Sequence, residues 1–148
     1  GGGGEAWMSG LRSRFGPVLG DRLRIEPPEF DPERLARRYG TFDIFCYPSV
    51  AERGETFGVS VAEAMASGCT PVVSALACFR DLVRDGETGL VFDHRAADAP
   101  RRLADALARL VGNAPLRARL GARAQDEVRR FDFARVGANI LADLDGFA

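Results

Sequence analysis

Short apolar runs alternate along this chain with longer stretches of mixed character. Phe42–Tyr47 is apolar apart from one Asp and is bounded by Gly40 and Pro48, the pattern of a strand buried in a parallel sheet. Thr70–Ser74 predicts a second buried strand and Gly89–Phe92 a last one, and a further strand is expected at Arg22–Glu26. Helices are predicted at Glu5–Phe15, Pro32–Arg38 and Gly58–Ser67. A short helix is expected over Phe79–Arg84, ended by the Asp85-Gly86 turn. Three more close the chain at Ala97–Val111, Pro115–Arg130 and Phe133–Phe147, with Asn113 and Pro115 separating the first two. The Gly58–Ser67 helix is expected to carry Val59, Ala62, Met65 and Ala66 on one face and Ser60, Glu63 and Ser67 on another. Alternating elements of this kind predict an α/β class, a Rossmann-like parallel sheet flanked by helices.

A length of 148 residues suits one domain, and 46% hydrophobic residues can support a sizeable core. The net charge of -1 offers no electrostatic case for nucleic acid or an anionic membrane. No apolar run reaches the ~20 residues that span a bilayer, and the start, Gly1-Gly-Gly-Gly4, has no signal-peptide pattern. Three cysteines without paired spacing argue against a disulfide framework and for a reducing, cytoplasmic setting. Cys46 and Cys69 are expected as small core residues. The single histidine, His94, falls in an Asp-His-Arg turn expected to be exposed, which disfavours a Cys–His nucleophile. With no Cys-x-x-Cys, metal binding is not expected. No Gly-x-Ser-x-Gly elbow supports a serine hydrolase.

The informative chemistry lies in Glu55-Thr-Phe-Gly-Val-Ser-Val-Ala-Glu63, where seven residues separate two carboxylates. Glu55 falls in a loop after a strand, and Glu63 lies inside the following helix. Such loops, outside the carboxyl ends of parallel strands, are where ligands bind in these sheets. Gly58 lets backbone N–H groups at a helix start approach an anion, and the helix dipole favours negative charge there. Carboxylates accept from sugar hydroxyls, so the combination suits a nucleotide sugar. Thr56 is the expected N-cap, and Phe57 is read as a packing residue. Two plainer readings apply to Glu63: a solvated helix glutamate, or a Ser60–Glu63 capping box. Glu52 is a rival to Glu55, ranked lower because Phe57-Gly58 adjoins Glu55.

The longer run from Pro48 and Ser49 through Glu55, Phe57, Gly58, Glu63, Ala64, Met65, Ala66, Gly68, Pro71, Val72 and Val73 resembles the donor-binding segment of retaining glycosyltransferases of family four. The likeness continues through Phe79–Phe92 and upstream through Tyr39–Ser49. It implies the GT-B fold, with this chain as the C-terminal donor-binding half, incomplete at its start and lacking the N-terminal acceptor domain as a partner. It implies transfer of a sugar from a nucleoside diphosphate sugar to an acceptor hydroxyl, with retained configuration and no metal. The resemblance assigns Glu55 to the donor sugar as the catalytic carboxylate. It assigns Thr56, Phe57, Gly58 and Val59 to the donor through the loop and helix start, and Glu63 to the ribose hydroxyls. The diphosphate-clamping Arg and Lys are expected ahead of Gly1, so the chain alone is expected to be inactive. The leading glycines are either a linker or the family's glycine loop before a helix. Pro27-Pro28 and Ala77–Asp81 depart from the family pattern. Other functions compatible with the run are a noncatalytic nucleotide- or partner-binding module and a GT-B sugar-nucleotide epimerase. Self-association through the apolar stripe of the Phe133–Phe147 helix is also expected.

Overall fold

A computed structural model describes residues 2–145 of the chain. Two compact units divide it, Gly1–Pro32 and Glu33–Ala148.

In the first unit, helix α1 runs Gly2–Leu19 and is followed by a 3-10 turn at Gly20–Arg22. Gly2–Gly4 form the first turn of α1, so the leading glycines make no loop before the helix. Arg22 closes the helix by donating from Nε to the Leu19 carbonyl at 3.3 Å. That placement is favourable, because cations suit helix C-termini. The strand expected at Arg22–Glu26 does not form: residues 23–31 are irregular. An extended segment becomes a strand only when a neighbour accepts its ladder bonds. Here Ile25 instead gives its carbonyl to the Arg12 guanidinium at 2.8 Å, and Pro27-Pro28 follow without N–H donors.

The second unit is a helix-flanked parallel sheet. Its elements are α2 (Pro32–Tyr39), β1 (Ile44–Tyr47), α3 (Val59–Ala66), β2 (Thr70–Ser74), β3 (Leu90–Phe92), α4 (Ala99–Val111), α5 (Ala114–Val128) and α6 (Phe133–Asp145). The sheet order is β1-β2-β3, with Ile44 opposite Thr70 and Val72 opposite Leu90. Central strand β2 is buried along its whole length, the expected fate of an apolar run covered on both faces. Successive strand side chains point to opposite faces. Val73 therefore joins Val61, Met65, Phe79 and Val128 in one cluster, while Val72 joins Leu90, Leu110 and Leu120 in another. Fully burying side chains of this size contributes roughly 1.5–3 kcal/mol each, so these two clusters hold α3, α4 and α5 against β2 and β3.

Other expectations need correction. Cys69 is buried, but Cys46 is exposed: β1 is an outer strand, and alternation turns Cys46 away from the face shared by Phe45 and Tyr47. On α3 the buried residues are Val61, Ala64 and Met65, and Val59 is 61% exposed. The apolar stripe is rotated because β2 and α5 cover the Val61–Met65 side. The Phe79–Arg84 helix is replaced by a 3-10 turn at Ala77–Phe79 and successive tight turns. Phe79, Leu82 and Val83 are all buried there, and Thr88 Oγ1 takes the Arg84 N–H at 2.8 Å. Phe79, Leu82 and Val83 keep helical spacing, and the Val83 N–H reaches the Phe79 carbonyl at 2.8 Å, but the next donor, the Arg84 N–H, is taken by Thr88, so the turn does not extend into a helix.

Helix α5 starts as its residues predict: Asn113 Oδ1 accepts the Leu116 N–H at 2.9 Å, with Pro115 in the first turn. In α6, Phe133 is 96% exposed, and the side chains of Ile140, Leu141 and Leu144 lie outside the described residues. Among the described residues no helix is long and apolar enough to cross a membrane.

Candidate functional site

The loop between β1 and α3 leaves the carboxyl end of its strand, where open parallel sheets bind ligands. It ends at Gly58, which adopts φ 82° and ψ 52° and forms the N-cap of α3. This corrects the expectation for Thr56, which sits two residues too early, and no side chain caps the helix. The Gly58 carbonyl accepts from Val61 and Ala62 N–H at 2.9 and 3.1 Å. Only glycine suits this position, for two reasons. L-residues rarely adopt this backbone region, and a Cβ here would lie 2.7 Å from Cε1 of fully buried Phe79. The fit packs the start of α3 directly onto the core. With the cap at Gly58, Ser60 stands inside the helix, so the Ser60–Glu63 capping box does not form.

Glu55 is partly buried, and its Oε2 accepts from the Tyr47 hydroxyl at 2.8 Å. Tyr47 is the last residue of β1, and its ring packs edge-on against Phe79 with centroids 5.7 Å apart. A strand end thus aims a phenol at the loop carboxylate. Bonding to Glu55, burial and the Glu55 charge all raise the Tyr47 phenol above its ordinary value. It therefore stays a donor at neutral pH. Nothing in the spacing of Tyr47 and Glu55 pointed to this pair.

Glu63 is exposed on α3. It lines a cleft of about 660 Å³ together with Phe57, Val59, Gln125, Phe131 and Phe133. Three of the sequence-predicted residues, Phe57, Val59 and Glu63, therefore share one concavity. Phe57 packs edge-on against Phe131 at 5.1 Å, in keeping with its reading as a packing residue. Glu63 also acts on Tyr39: burial first, then the Glu63 charge, raises that phenol above its ordinary value.

Glu52 takes a different place from Glu55. Its Oε1 meets His94 Nε2 at 2.9 Å and its Oε2 accepts from Arg95 Nη2 at 2.7 Å. The hydrogen bonds from His94 and Arg95 hold its carboxyl below the ordinary range. His94 is not exposed as expected: its side chain is only 4% accessible. The turn after β3 folds the imidazole inward against Glu52, a contact 42 residues apart in sequence. Sequence reasoning missed both His94 and Arg95, because neither belongs to a motif.

The description "Glycosyl transferases group 1" matches residues 26–127. The chain belongs to this family. It is 41% identical over 131 residues to phosphatidyl-myo-inositol mannosyltransferase of Mycobacterium leprae, covering 88% of this chain and 33% of that protein. It is 36% identical over 126 residues to D-inositol 3-phosphate glycosyltransferase of a Nocardioides species, covering 85% of this chain and 25% of the relative. The chain thus spans a third or less of these relatives. Among solved structures, sucrose-phosphate synthase from Thermosynechococcus elongatus superposes with a TM-score of 0.74 at 26% identity, over 98% of this chain and 35% of that one. Anabaena HepE in complex with UDP-glucose gives a TM-score of 0.75 at 20% identity, over 98% and 38%. The group 1 family and the sheet agree: this is a GT-B type α/β fold with Rossmann-like, helix-flanked parallel strands.

Proposed function

We propose that this chain is the C-terminal donor-binding domain of a retaining glycosyltransferase. The parent would move a sugar from a nucleoside diphosphate sugar to an acceptor hydroxyl. The observation that carries the reading is the loop–helix unit after β1. It presents Glu55 on a Tyr47 donor, a tight Gly58 helix start, and Glu63 in the adjoining cleft.

Each part has a distinct task. Backbone N–H groups at the start of α3, including those of Gly58 and Val59, meet the diphosphate, where the helix dipole favours negative charge. Thr56 and Phe57 shape the approach to it. Glu63 accepts from ribose hydroxyls, while Phe57 and Val59 wall the cleft around the nucleoside. Glu55 accepts from a hydroxyl of the donor sugar. As positive charge develops at the anomeric carbon, its carboxylate gains value, so it favours the transition state over the ground state. The Tyr47 phenol orients Glu55 for this. Donor charge is met by protein donors without a resident metal.

Both relatives named above couple glycosyl or mannosyl transfer to an inositol by name, which supports an inositol-bearing acceptor. Acceptor binding is assigned to a partner domain outside this chain, so donor binding rather than turnover is the property to measure on it. Its three free cysteines suit a reducing, cytoplasmic setting.

Saturation-transfer NMR tests the reading, with GDP-mannose and UDP-glucose run beside GDP and UDP. Ribose and sugar protons should both receive saturation, and Glu63→Ala should weaken the ribose signal. Absence of any nucleotide-dependent transfer at millimolar ligand would refute donor binding. Equal signals from nucleotides and nucleotide sugars, with none on the hexose, would favour a plain nucleotide-binding module.

A further inference from the structure

The loop that carries Glu55 has little support of its own. Apart from one tight turn at residues 52–54, its backbone is irregular. Side chains hold it instead. Ser74, at the end of β2, donates its hydroxyl to the Ser49 carbonyl at the loop entrance. Gly58 anchors the exit against Phe79. Glu52 lies between these ends, and it reaches across to the segment that follows β3.

Two residues grip it there. His94 Nε2 and Arg95 Nη2 take separate oxygens of Glu52, at 2.9 and 2.7 Å. Since an ionised carboxylate only accepts, Nε2 carries the proton. Arg95 Nη1 also donates to the Ala75 carbonyl at 3.0 Å. One guanidinium thus ties the loop after β1 to the end of β2, while its own backbone belongs to the turn after β3. Asp93 Oδ1 fixes that turn by accepting the Arg95 N–H at 3.0 Å. The three segments leave the carboxyl ends of three parallel strands, the edge at which such sheets meet ligands.

Two observations set this apart from an incidental surface pair. Glu52 and Arg95 are both 52% exposed, and an isolated pair of that kind contributes little. The imidazole joining them is buried, and its Nδ1 has no hydrogen-bond partner among the described residues. A buried polar atom left unpaired has a desolvation cost. The fold tolerates it in order to place Nε2 on Glu52.

We propose that Glu52, gripped by His94 and Arg95, is a positioning residue that holds the Glu55 loop in register over the sheet end. This rests on the donor-binding reading for its consequence, and on the free protein for its mechanism. Glu52 touches no donor. It sets where Glu55, three residues on, meets the sugar. Releasing it should therefore weaken recognition of the sugar moiety and leave recognition of the nucleotide alone.

The test uses the 148-residue chain and the variants Glu52→Gln, Arg95→Gln and Arg95→Lys, with Arg102→Gln on α4 as a control. Backbone nitrogen-15 relaxation is read first. Order parameters of residues 50–57 should fall from about 0.85 toward about 0.6 in Glu52→Gln and Arg95→Gln, with β2 and α5 unchanged. Arg95→Lys, which keeps the charge but cannot fork to both Glu52 and Ala75, should stay near Arg95→Gln. Nitrogen-15 NMR of the single histidine should report the Nε2–H tautomer in the wild type and a shift toward mixed tautomers in Glu52→Gln. Affinities for UDP-glucose and GDP-mannose, compared with UDP and GDP, are read second. The sugar-bearing ligand that binds should lose about fivefold in the variants, while its sugar-free counterpart holds constant. Unchanged order parameters at residues 50–57 in Glu52→Gln and Arg95→Gln would overturn the proposal. So would equal loss for ligands with and without the sugar. If the wild type binds none of the four ligands, the donor reading fails, and the relaxation data alone decide the clamp.

Discussion

Three glycines around the core separate two physical costs that usually arrive together, and alanine at each should show it. Gly86 has φ 72° with open space where a Cβ would go. Gly86→Ala therefore meets only the left-handed backbone penalty, about 1–2 kcal/mol. Gly89 has no such backbone, but its Cβ would stand 2.6 Å from the Pro71 carbonyl oxygen and 2.8 Å from Val83 Cγ1. Gly89→Ala meets only overpacking, about 1–3 kcal/mol, near the upper end because a β2 carbonyl cannot swing aside. Gly58 combines both: φ 82°, with Phe79 Cε1 at 2.7 Å and Leu82 Cδ1 at 3.6 Å. Phe79 is 1% exposed and has little room to yield. Summing the two ranges puts Gly58→Ala at about 2–5 kcal/mol. For a domain near this size that corresponds to a melting shift of roughly 4–20 °C. Alanine also restricts the unfolded chain, by about 0.4–1 kcal/mol at every site. That term is shared, so differences between the variants are the firmer quantity. Urea unfolding of the three variants under one buffer is the assay, with unchanged m-values required. A Gly58→Ala loss no larger than that of Gly86→Ala would show that Phe79 moves away freely. The start of α3 would then not be locked onto the core.

Other outcomes follow from single contacts. Asn113→Ala should cost about 1 kcal/mol in urea unfolding by removing the α5 cap, and a change under a few tenths would mean the Leu116 N–H finds another acceptor. Arg84 hydrogen bonds, with the Arg84 and Arg130 charges, hold the Glu127 carboxyl below its ordinary range. Its stabilising effect is thus full above the ordinary carboxylate value and is lost as pH falls through the lowered one. Glu127→Gln should flatten the decline in stability between about pH 7 and pH 3, and an unaltered decline would contradict this. The Tyr47 phenol is raised by Glu55, so that contribution is present below the ordinary tyrosine value and is lost as pH rises through the higher one. In an ultraviolet titration of the two tyrosines, Glu55→Gln should bring one of them back toward its ordinary value and leave Tyr39 alone. In a full-length enzyme carrying this domain, Glu63→Ala should act mainly on donor affinity and Glu55→Ala mainly on kcat, and the reverse split would mean their roles are exchanged.

Much of the architecture could be read from one dimension. β2 occupies the Thr70–Ser74 stretch expected of it, and helix α5 starts beside Asn113 and Pro115, because burial on both faces and local capping leave direct marks on residue order. The same holds for the Glu55-to-Glu63 run. Strand, loop, glycine and helix follow one another within a few residues, so local chemistry is enough to place a candidate site at the carboxyl end of β1.

What tertiary structure decided involves partners far apart in the chain. Arg22–Glu26 looked like a strand, but pairing depends on a neighbour that residue order does not name. Residues 79–84 looked helical, yet the Thr88 hydroxyl takes the Arg84 N–H that would continue a helix, and tight turns result. Val59 is exposed on α3 because β2 and α5 set which side of that helix is covered. His94 illustrates the same point most sharply. In sequence it is a lone residue in a charged turn; in the fold, the parallel strands bring the segments after β1 and β3 together at one edge, and the imidazole closes on Glu52. Local signals set the elements, whereas side-chain partnership between distant loops follows only from strand order and register.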